Sequence, residues 1–207
     1  MIETTLYLTR HGQTEWNLQG RMQGHQDSPL TATGKQQAEW LQERLENVSF
    51  EAIYSSTSPR AMSTAHLIQG DKPGELLTKA ELREINMGHW EGQFIEDIRE
   101  QDGEQFHNFW EAPHLYQPSG KGETYDALLE RVIPAVEEIM SKHAGGNVLL
   151  VTHRITLKVI MGHYLGRELQ ELKKLPDILS TSLSKIVWRN GSAHVELYGD
   201  TSHYKEE

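Results

Sequence analysis

The segment NVLLVTHR, residues 147–154, constrains the fold more strongly than any other part of the chain. Its apolar residues follow one another without polar alternation, which is typical of a central strand buried on both faces. A second strand-like run, residues 4–9, is β-branched, aromatic or leucine, and it ends at the charged pair Arg10-His11. Strands of this kind occur mainly in parallel sheets that helices cover on both sides. The two segments therefore predict an α/β protein.

Helix and strand patterns alternate along the first half of the chain, as expected of an α/β fold. The segment LTATGKQQAEWLQERLEN predicts a helix with Thr31 or Thr33 as its N-cap. The segment TSPRAMSTAHLIQG predicts a second helix, with Ser58 as its N-cap and Pro59 at its first position. The short runs AIYSS and GELLT predict two further strands.

The periodicity weakens in residues 93–122, which we expect to form a small helical and loop cap inserted into a single domain spanning residues 1–207. The strongest helix signal, TYDALLERVIPAVEEIMSKHAGG, follows this segment, and Pro134 inside it predicts a kink. Near the end of the chain, SLSKIVWRNGSAHVELYG predicts a hairpin whose Asn190-Gly191 pair favours a type I′ turn.

The composition disfavours several classes of function. The formal net charge of -10 argues against a nucleic-acid partner. Cysteine is absent, which removes disulfides, thiolate zinc sites and cysteine nucleophiles. The chain has no apolar run of about 18 residues and no secretory signal pattern, so we expect no membrane association and a cytoplasmic location. Because no heptad pattern or long apolar stripe stands out, we expect a monomer.

Histidine and arginine follow both predicted central strands, at the point where each strand ends. The carboxyl ends of parallel strands line one edge of a sheet, so His11 and His153 are expected to face each other across one crevice. Arg60 follows another predicted strand, near the start of a helix, and its guanidinium offers a fork that matches phosphate oxygens. Together with Arg10, these residues predict a pocket for a dianionic phosphoryl group.

The chain resembles the histidine phosphatase superfamily, also called the phosphoglycerate mutase-like family. The resemblance covers most of the chain through ordered blocks: LTRHGQTEWN, RMQGHQDSPLTATGKQQA, IYSSTSPRAMSTA, LREINMGHWEG, GET and VTHR. Bacillus-type broad-specificity phosphatases of this family look especially similar around MQGHQDSPLT and FWEAPHLYQP. The resemblance implies a three-layer α/β/α sandwich with a mostly parallel central sheet and a small helical and loop cap insertion.

The resemblance also implies a mechanism without a metal or another cofactor. His11 would be the nucleophile that becomes phosphorylated, and His153 would hold the phosphoryl oxygens as a second, protonated histidine. Glu84 would donate a proton to the leaving group, because an alkoxide is a poor leaving group, and would then take a proton from water. The phosphate-binding residues implied by the resemblance are Arg10, Arg60, Asn17 and Gln23.

One residue departs from the family pattern, and the exact activity stays open. Many relatives have glycine after the second histidine, whereas Arg154 stands here. Three alternatives stay open: a tilted loop, a side chain that points outward, or positive charge at the pocket rim that favours more anionic substrates. We rank the outward side chain first. Residues 94–119 contain Arg99 as their only arginine or lysine and several aromatics, which favours a broad-specificity phosphatase of small-molecule phosphomonoesters. A cofactor-dependent phosphoglycerate mutase or an α-ribazole phosphate phosphatase is the alternative within the family. A catalytically silent protein that binds phosphorylated ligands is the alternative from another class.

Overall fold

The structure is a computed structural model that describes residues 3–72 and 74–205. Its strands are β1 (Glu3–Arg10), β2 (Ala52–Ser56), β3 (Leu76–Lys79), β4 (Asn147–Thr152), β5 (Leu183–Arg189) and β6 (Ser192–Asp200). Its α-helices are α1 (Glu15–Gln19), α2 (Ala32–Arg44), α3 (Pro59–Gln69), α4 (Ile95–Gln101), α5 (Gly103–Glu111), α6 (Tyr125–Lys142) and α7 (Arg154–Tyr164). Short 3-10 segments are Ala80–Leu82, Gly88–Trp90, Pro113–Leu115 and Leu169–Lys174.

The strands form a single six-stranded sheet in the order β3-β2-β4-β1-β5-β6. The four strands β3, β2, β4 and β1 are mutually parallel. The last two are antiparallel, because β5 pairs with β1 in the opposite direction and β6 returns from it through a hairpin. The prediction of a mostly parallel central sheet is therefore confirmed.

Alternate residues of β4 enter two different apolar clusters, as expected for a strand covered on both faces. Val148 and Leu150 pack with residues of α6 and α7, whereas Leu149 and Val151 pack with residues of α2 and α3. All four side chains are fully buried. The sheet thus lies between two helical layers, and the predicted three-layer sandwich is confirmed.

Several local signals in the sequence are also borne out. Thr31, and not Thr33, is the N-cap of α2, and its hydroxyl accepts a hydrogen bond from the backbone of Gly34. Pro59 is the first residue of α3, although the hydroxyl of the preceding Ser58 makes no capping bond. In the β5–β6 hairpin, the φ angles are 54° at Asn190 and 79° at Gly191, as a type I′ turn requires. The helix α6 runs through Pro134 without interruption.

The segment between residues 93 and 122 contains α4, α5 and one 3-10 turn. Its aromatic side chains Phe109 and Tyr116 are fully buried, and their rings contact Trp90 and Tyr125 from outside the segment. These residues belong to the same apolar cluster as the strands β1 and β4. The segment is therefore anchored on the main core. Within the described residues, no helix has the length and apolar character needed to cross a membrane.

Two glycines allow the loop after β1 to lie directly against the start of α2. A methyl group at Gly34 would stand 2.0 Å from the carbonyl oxygen of Gln13, and one at Gly12 would stand 2.3 Å from the carbonyl oxygen of Gly34. Both obstacles are backbone atoms, so rotation of a side chain cannot relieve them. The position of the chain just after His11 therefore depends on this contact.

Replacing Gly34 by alanine tests the contact. Helix propensity alone favours alanine inside α2 by up to about 1 kcal/mol, whereas forced overpacking costs about 1–3 kcal/mol. We expect Gly34→Ala to lower the free energy of unfolding, measured by urea denaturation. Gly103→Ala is the matched control, because a methyl group there meets nothing within 4 Å. Stabilisation by Gly34→Ala would contradict the close approach.

Candidate active site

The pairing of β1 with β4 brings the two strand-end histidines together. Arg10 lies opposite Thr152, and the backbone N–H of His11 donates to the carbonyl of Thr152 at 3.0 Å. The imidazole rings of His11 and His153 follow directly, with their centroids 5.2 Å apart. A cavity of about 80 Å³ lies at this edge of the sheet. Its lining includes six of the seven predicted site residues: Arg10, His11, Asn17, Gln23, Arg60 and Glu84.

The ring of His11 is held with one nitrogen free to react. Its Nδ1 lies 2.8 Å from the carbonyl oxygen of Gly12, so Nδ1 carries the proton and donates. The lone pair is then on Nε2, which accepts from Nε of Arg60 at 3.2 Å. Burial, followed by the charges of Arg60 and Arg10, lowers the pKa of His11 well below its usual value. His11 is therefore a neutral imidazole with an available Nε2 lone pair.

His153 lies behind His11 and is fully buried. Its Nε2 is 2.7 Å from Oγ of Ser56, which itself accepts from the backbone N–H of Ser58. The Ser56 hydroxyl can donate to Nε2, and this favours the proton on Nδ1, a buried atom with no partner among the described residues. Burial, Arg60 and the neighbouring His11 lower the pKa of His153 well below its ordinary value, which favours the neutral ring. The expectation that His153 is protonated while it holds phosphoryl oxygens stays a prediction.

Arg10 reaches the same cavity from the end of β1. Its NH1 group donates to the carbonyl of Ile178 at 2.9 Å, while its Nε is buried without a partner in the described chain. Burial lowers the pKa of Arg10 to about 10, with the nearby charge of Arg154 as the next cause. Arg10 therefore remains a cation at neutral pH and has an N–H group that an incoming anion can satisfy.

Arg60 projects from the first turn of α3 and is almost fully buried. Its guanidinium donates to the carbonyls of Gly24 and Gln26 at 2.8 and 2.7 Å and to the carboxylate of Asp27 at 2.8 Å. With Nε directed at His11, the guanidinium is fixed on several sides. A charged group held by preformed partners in this way needs little reorganisation when an anion binds.

The side-chain amide groups of Asn17 and Gln23 are also held by hydrogen bonds within the protein. The side-chain oxygen of Asn17 accepts from the backbone N–H of Thr14, and that of Gln23 accepts from Oγ of Ser28. Both oxygens are thus occupied within the protein. The amide nitrogens donate to no other described residue, so they are available to phosphate oxygens.

Glu84 lies across the cavity from these donors, at the amino-terminal end of α7. Its carboxylate accepts from the backbone N–H groups of Ile155 and Thr156 at 3.1 and 3.0 Å, and from the hydroxyl of Thr156 and the backbone N–H of Ile85. The backbone carbonyl of Glu84 is held as well, by Arg131 at 3.0 Å. The carboxyl group therefore has a fixed position on the wall of the cavity.

The expected outward orientation of Arg154 is not observed. Its Nε and NH2 groups both lie 2.7 Å from the carboxylate oxygens of Asp177, and its guanidinium carbon is 4.6 Å from the centre of the Trp110 ring. The side chain lines the cavity that contains His11. Arg154 is drawn inward because both an opposite charge and an aromatic face are available there.

Sequence reasoning missed several residues that hold the site in place. Thr64 of α3 accepts from the backbone of Gly12 at 3.0 Å and donates to the carbonyl of Arg60 at 2.8 Å. The carboxylate of Glu91 accepts from the backbone N–H groups of two successive residues, His25 and Gln26, and so fixes the loop that carries the carbonyl partners of Arg60. Both residues stand in motif blocks, Thr64 in IYSSTSPRAMSTA and Glu91 in LREINMGHWEG, but the blocks alone do not show which backbone groups they bind.

The arrangement suits covalent transfer of a tetrahedral dianion. A neutral nucleophilic nitrogen shares the cavity with two guanidinium groups and two free amide nitrogens, and the ring centroid of His153 is 5.2 Å from that of His11. Among the described residues, no three His, Asp or Glu side chains come together as a metal-binding group. The fixed N–H donors around His11 can supply positive charge to a developing transition state.

Comparison with known proteins identifies relatives of the whole chain. Residues 6–201 match a family model described as the histidine phosphatase superfamily, branch 1. The solved structure of Bacillus stearothermophilus YhfR superposes with a TM-score of 0.94 at 45% identity, over 97% of this chain and 98% of its own. Phosphoserine phosphatase 1 of Hydrogenobacter thermophilus is 33% identical over 80% of this chain and 78% of its own. A probable phosphoglycerate mutase GpmB of Photorhabdus laumondii is 32% identical over 96% and 94%.

The lowered pKa values of His11 and His153 predict that the protein loses stability in mild acid. Both rings are neutral when folded but take up protons when unfolded below about pH 6.5, so acid favours the unfolded chain. Between about pH 6.5 and 5, each such histidine lowers the free energy of unfolding by about 1 kcal/mol per pH unit.

Urea denaturation at a series of pH values measures this slope. We expect His153→Asn to flatten the slope, because one buried neutral ring is removed, whereas His194→Asn at an exposed position on β6 is the control. Equal slopes for His153→Asn and the unmodified protein would contradict a buried neutral His153.

Proposed function

This chain belongs to the histidine phosphatase superfamily, and we propose that it hydrolyses small-molecule phosphomonoesters through a phosphohistidine intermediate on His11. The observation that carries the proposal is the environment of Nε2 of His11, a lone pair beside the guanidinium of Arg60. Arg10, which lines the same cavity, and His153, whose ring centroid is 5.2 Å from that of His11, each have a buried nitrogen without a partner in the described chain, Nε and Nδ1. A phosphoryl group on Nε2 offers oxygen atoms to both, which would relieve a cost of about 1–3 kcal/mol for each.

In the first step, Nε2 of His11 attacks phosphorus and the bond to the ester oxygen breaks. The electron pair of that bond leaves with the alcohol oxygen, and Glu84, which enters this step as the protonated acid, gives this oxygen its proton. The carbonyl of Gly12 keeps the proton on Nδ1 and stabilises the positive charge of the phosphorylated ring. Arg10 and Arg60 bind the equatorial oxygens as charge develops on them.

In the second step, water replaces the alcohol at the same position. Glu84, now ionised, takes a proton from this water as its oxygen attacks phosphorus. The bond from Nε2 to phosphorus breaks, and its electron pair returns to the imidazole. Inorganic phosphate leaves, and both His11 and Glu84 regain their starting states. Hydrolysis thus takes two displacements, and Glu84 acts as the acid in the first and as the base in the second.

We further propose that residues 93–122 act as a cap over the pocket within a single domain. Ile95 and Trp110 from this segment form part of the lining around His11, which supports the assignment. The relatives named for phosphoserine phosphatase and phosphoglycerate mutase support a small phosphorylated substrate. The apolar side chains that the cap contributes to the pocket favour hydrolysis of esters of varied alcohols over hydrolysis of the ester of a single sugar acid.

Replacing His11 by alanine tests the nucleophile. In excess chelator, we expect the unmodified protein to release phosphate from an aryl phosphate and His11→Ala to lose at least about three orders of magnitude in turnover. Brief reaction with a radiolabelled ester, quenched in base, should leave an acid-labile label on the unmodified protein only. His163→Ala, which alters an exposed histidine at the end of α7, should behave like the unmodified protein.

Two other outcomes favour the other functions. Interconversion of phosphoglycerates primed by the bisphosphate, without release of phosphate, would indicate a mutase. Binding of a phosphorylated ligand with no turnover and no label would indicate a catalytically silent binding protein.

A variant at Glu84 tests the proton donor. Alkyl phosphates need a proton on the leaving oxygen, whereas nitrophenolate leaves almost unaided. We therefore expect Glu84→Gln to slow hydrolysis of an alkyl phosphate by about 100-fold or more and to slow phosphorylation by p-nitrophenyl phosphate much less. Single-turnover kinetics with both esters measure the difference, and a thermal melt checks the fold because the carboxylate also contacts α7. Equal losses with both esters would contradict the role.

A further inference from the structure

A second cavity of about 250 Å³ lies beside the phosphoryl pocket. The two cavities share Trp110, Arg154 and Ile155 as lining residues, so they are neighbours across a common wall. The rest of its lining divides into five apolar or aromatic residues, Phe109, Pro113, Tyr125, Leu172 and Leu175, and four charged ones, Glu111, Lys158, Lys173 and Asp177. We call it the leaving-group cavity, because it adjoins the phosphoryl pocket through these three shared residues.

Arg154 forms the wall between the cavities and is fixed there. Two of its nitrogens contact the carboxylate of Asp177, and its guanidinium stacks on Trp110. The positive charge of Arg154 is therefore largely balanced by Asp177 within the wall itself. An anion in the leaving-group cavity needs a different cation.

Two lysines line this cavity, and Lys158 is the more buried of them, because Lys173 is exposed. Lys158 lies one helical turn after Arg154 on α7, lines the leaving-group cavity, and is half-buried. Among residues 3–72 and 74–205, no carboxylate lies within ion-pair distance of its ammonium group, and the group makes no hydrogen bond. Burial lowers the pKa of Lys158, with smaller opposing effects from Asp177 and Glu111. A half-buried ammonium without a partner gains more from a bound anion than an exposed one does.

We propose that the leaving-group cavity receives substrates whose alcohol combines an apolar body with an anionic group, and that Lys158 binds this anionic group. The inference rests on the proposed hydrolysis at His11. The apolar walls accept the body of the alcohol, and the Arg154–Trp110 stack borders its path from the phosphoryl pocket. Lys158 is thus a specificity-determining residue that comes from α7 and not from the aromatic segment of residues 93–122.

Three esters of matched shape test the proposal: phenyl phosphate, 3-carboxyphenyl phosphate and 3-carbamoylphenyl phosphate. The carbamoyl ester has the size of the carboxyl ester without its charge, so the ratio of their kcat/KM values isolates the anionic group. One charge-assisted contact is worth about a tenfold preference for the carboxyl ester. We expect Lys158→Met to remove most of this preference, and Lys158→Gln gives a second variant should Met disturb the fold.

Arg167→Gln is the matched control. It removes one positive charge just beyond α7, at an exposed side chain that lines neither cavity. A ratio that falls with both Lys158 variants and stays with Arg167→Gln supports the subsite. Equal hydrolysis of the carboxyl and carbamoyl esters by the unmodified protein overturns it, and so does a preference that survives both Lys158 variants.

Failure of the proposed function is distinguishable from failure of the subsite. Absence of turnover with all three esters would overturn hydrolysis at His11. The same comparison is then made by calorimetry with 3-carboxybenzylphosphonate and 3-carbamoylbenzylphosphonate, which bind without reaction. Tighter binding of the carboxyl compound that is lost in Lys158→Met would retain the anion subsite, and equal affinities would overturn it.

Discussion

The parallel pairing of β1 with β4 is the constraint on which the rest of the site depends. A single register places Arg10 opposite Thr152, so the next residue on each strand is a histidine at the same edge of the sheet. A slip of one residue would turn every side chain of a strand to the other face. Since Leu6, Leu8, Leu149 and Val151 are all fully buried, the apolar layers on both faces hold this register. The geometry of the two imidazoles is therefore secured by core packing far from the reacting atoms.

The pocket contains buried cations although the protein as a whole is acidic. The chain carries a formal net charge of -10, yet Arg10 and Arg60 are brought together beside two histidines. The histidines remain neutral because protonation would add charge to an already cationic, dehydrated site. Each buried group without a partner can bind an anion. The free-energy cost of burying these groups unpaired is therefore offset only when a phosphoryl group binds. Likewise, the half-buried ammonium group of Lys158 in the neighbouring cavity gains a partner when an anion binds there.

Much of this architecture was predictable, and particular residues show why the rest was not. An apolar run without alternation identified β4, a β-branched, aromatic and leucine composition identified β1, and the adjacent histidine and arginine at each strand end marked the edge where the site lies. The partners of Arg60 gave no comparable signal. Two of them are the main-chain carbonyls of residues 24 and 26, and every residue type has such a carbonyl. The orientation of Arg154 depends on Asp177, 23 residues further along the chain. The neutrality of His153 depends on its burial beside other cations, which a local sequence window does not contain.

The main-chain cradle of Arg60 has a consequence for how this pocket tolerates change. Two of the three groups that hold the guanidinium in the loop after Met22 are carbonyl oxygens, which every amino acid supplies. The side chain of Gln26 is exposed, so this position is free to vary while the arginine stays in place. A search that compares only side-chain templates would overlook two thirds of the cradle, and relatives with a different loop sequence can preserve the same anion geometry. Drift in that loop could therefore alter the entrance of the pocket while leaving its chemistry intact.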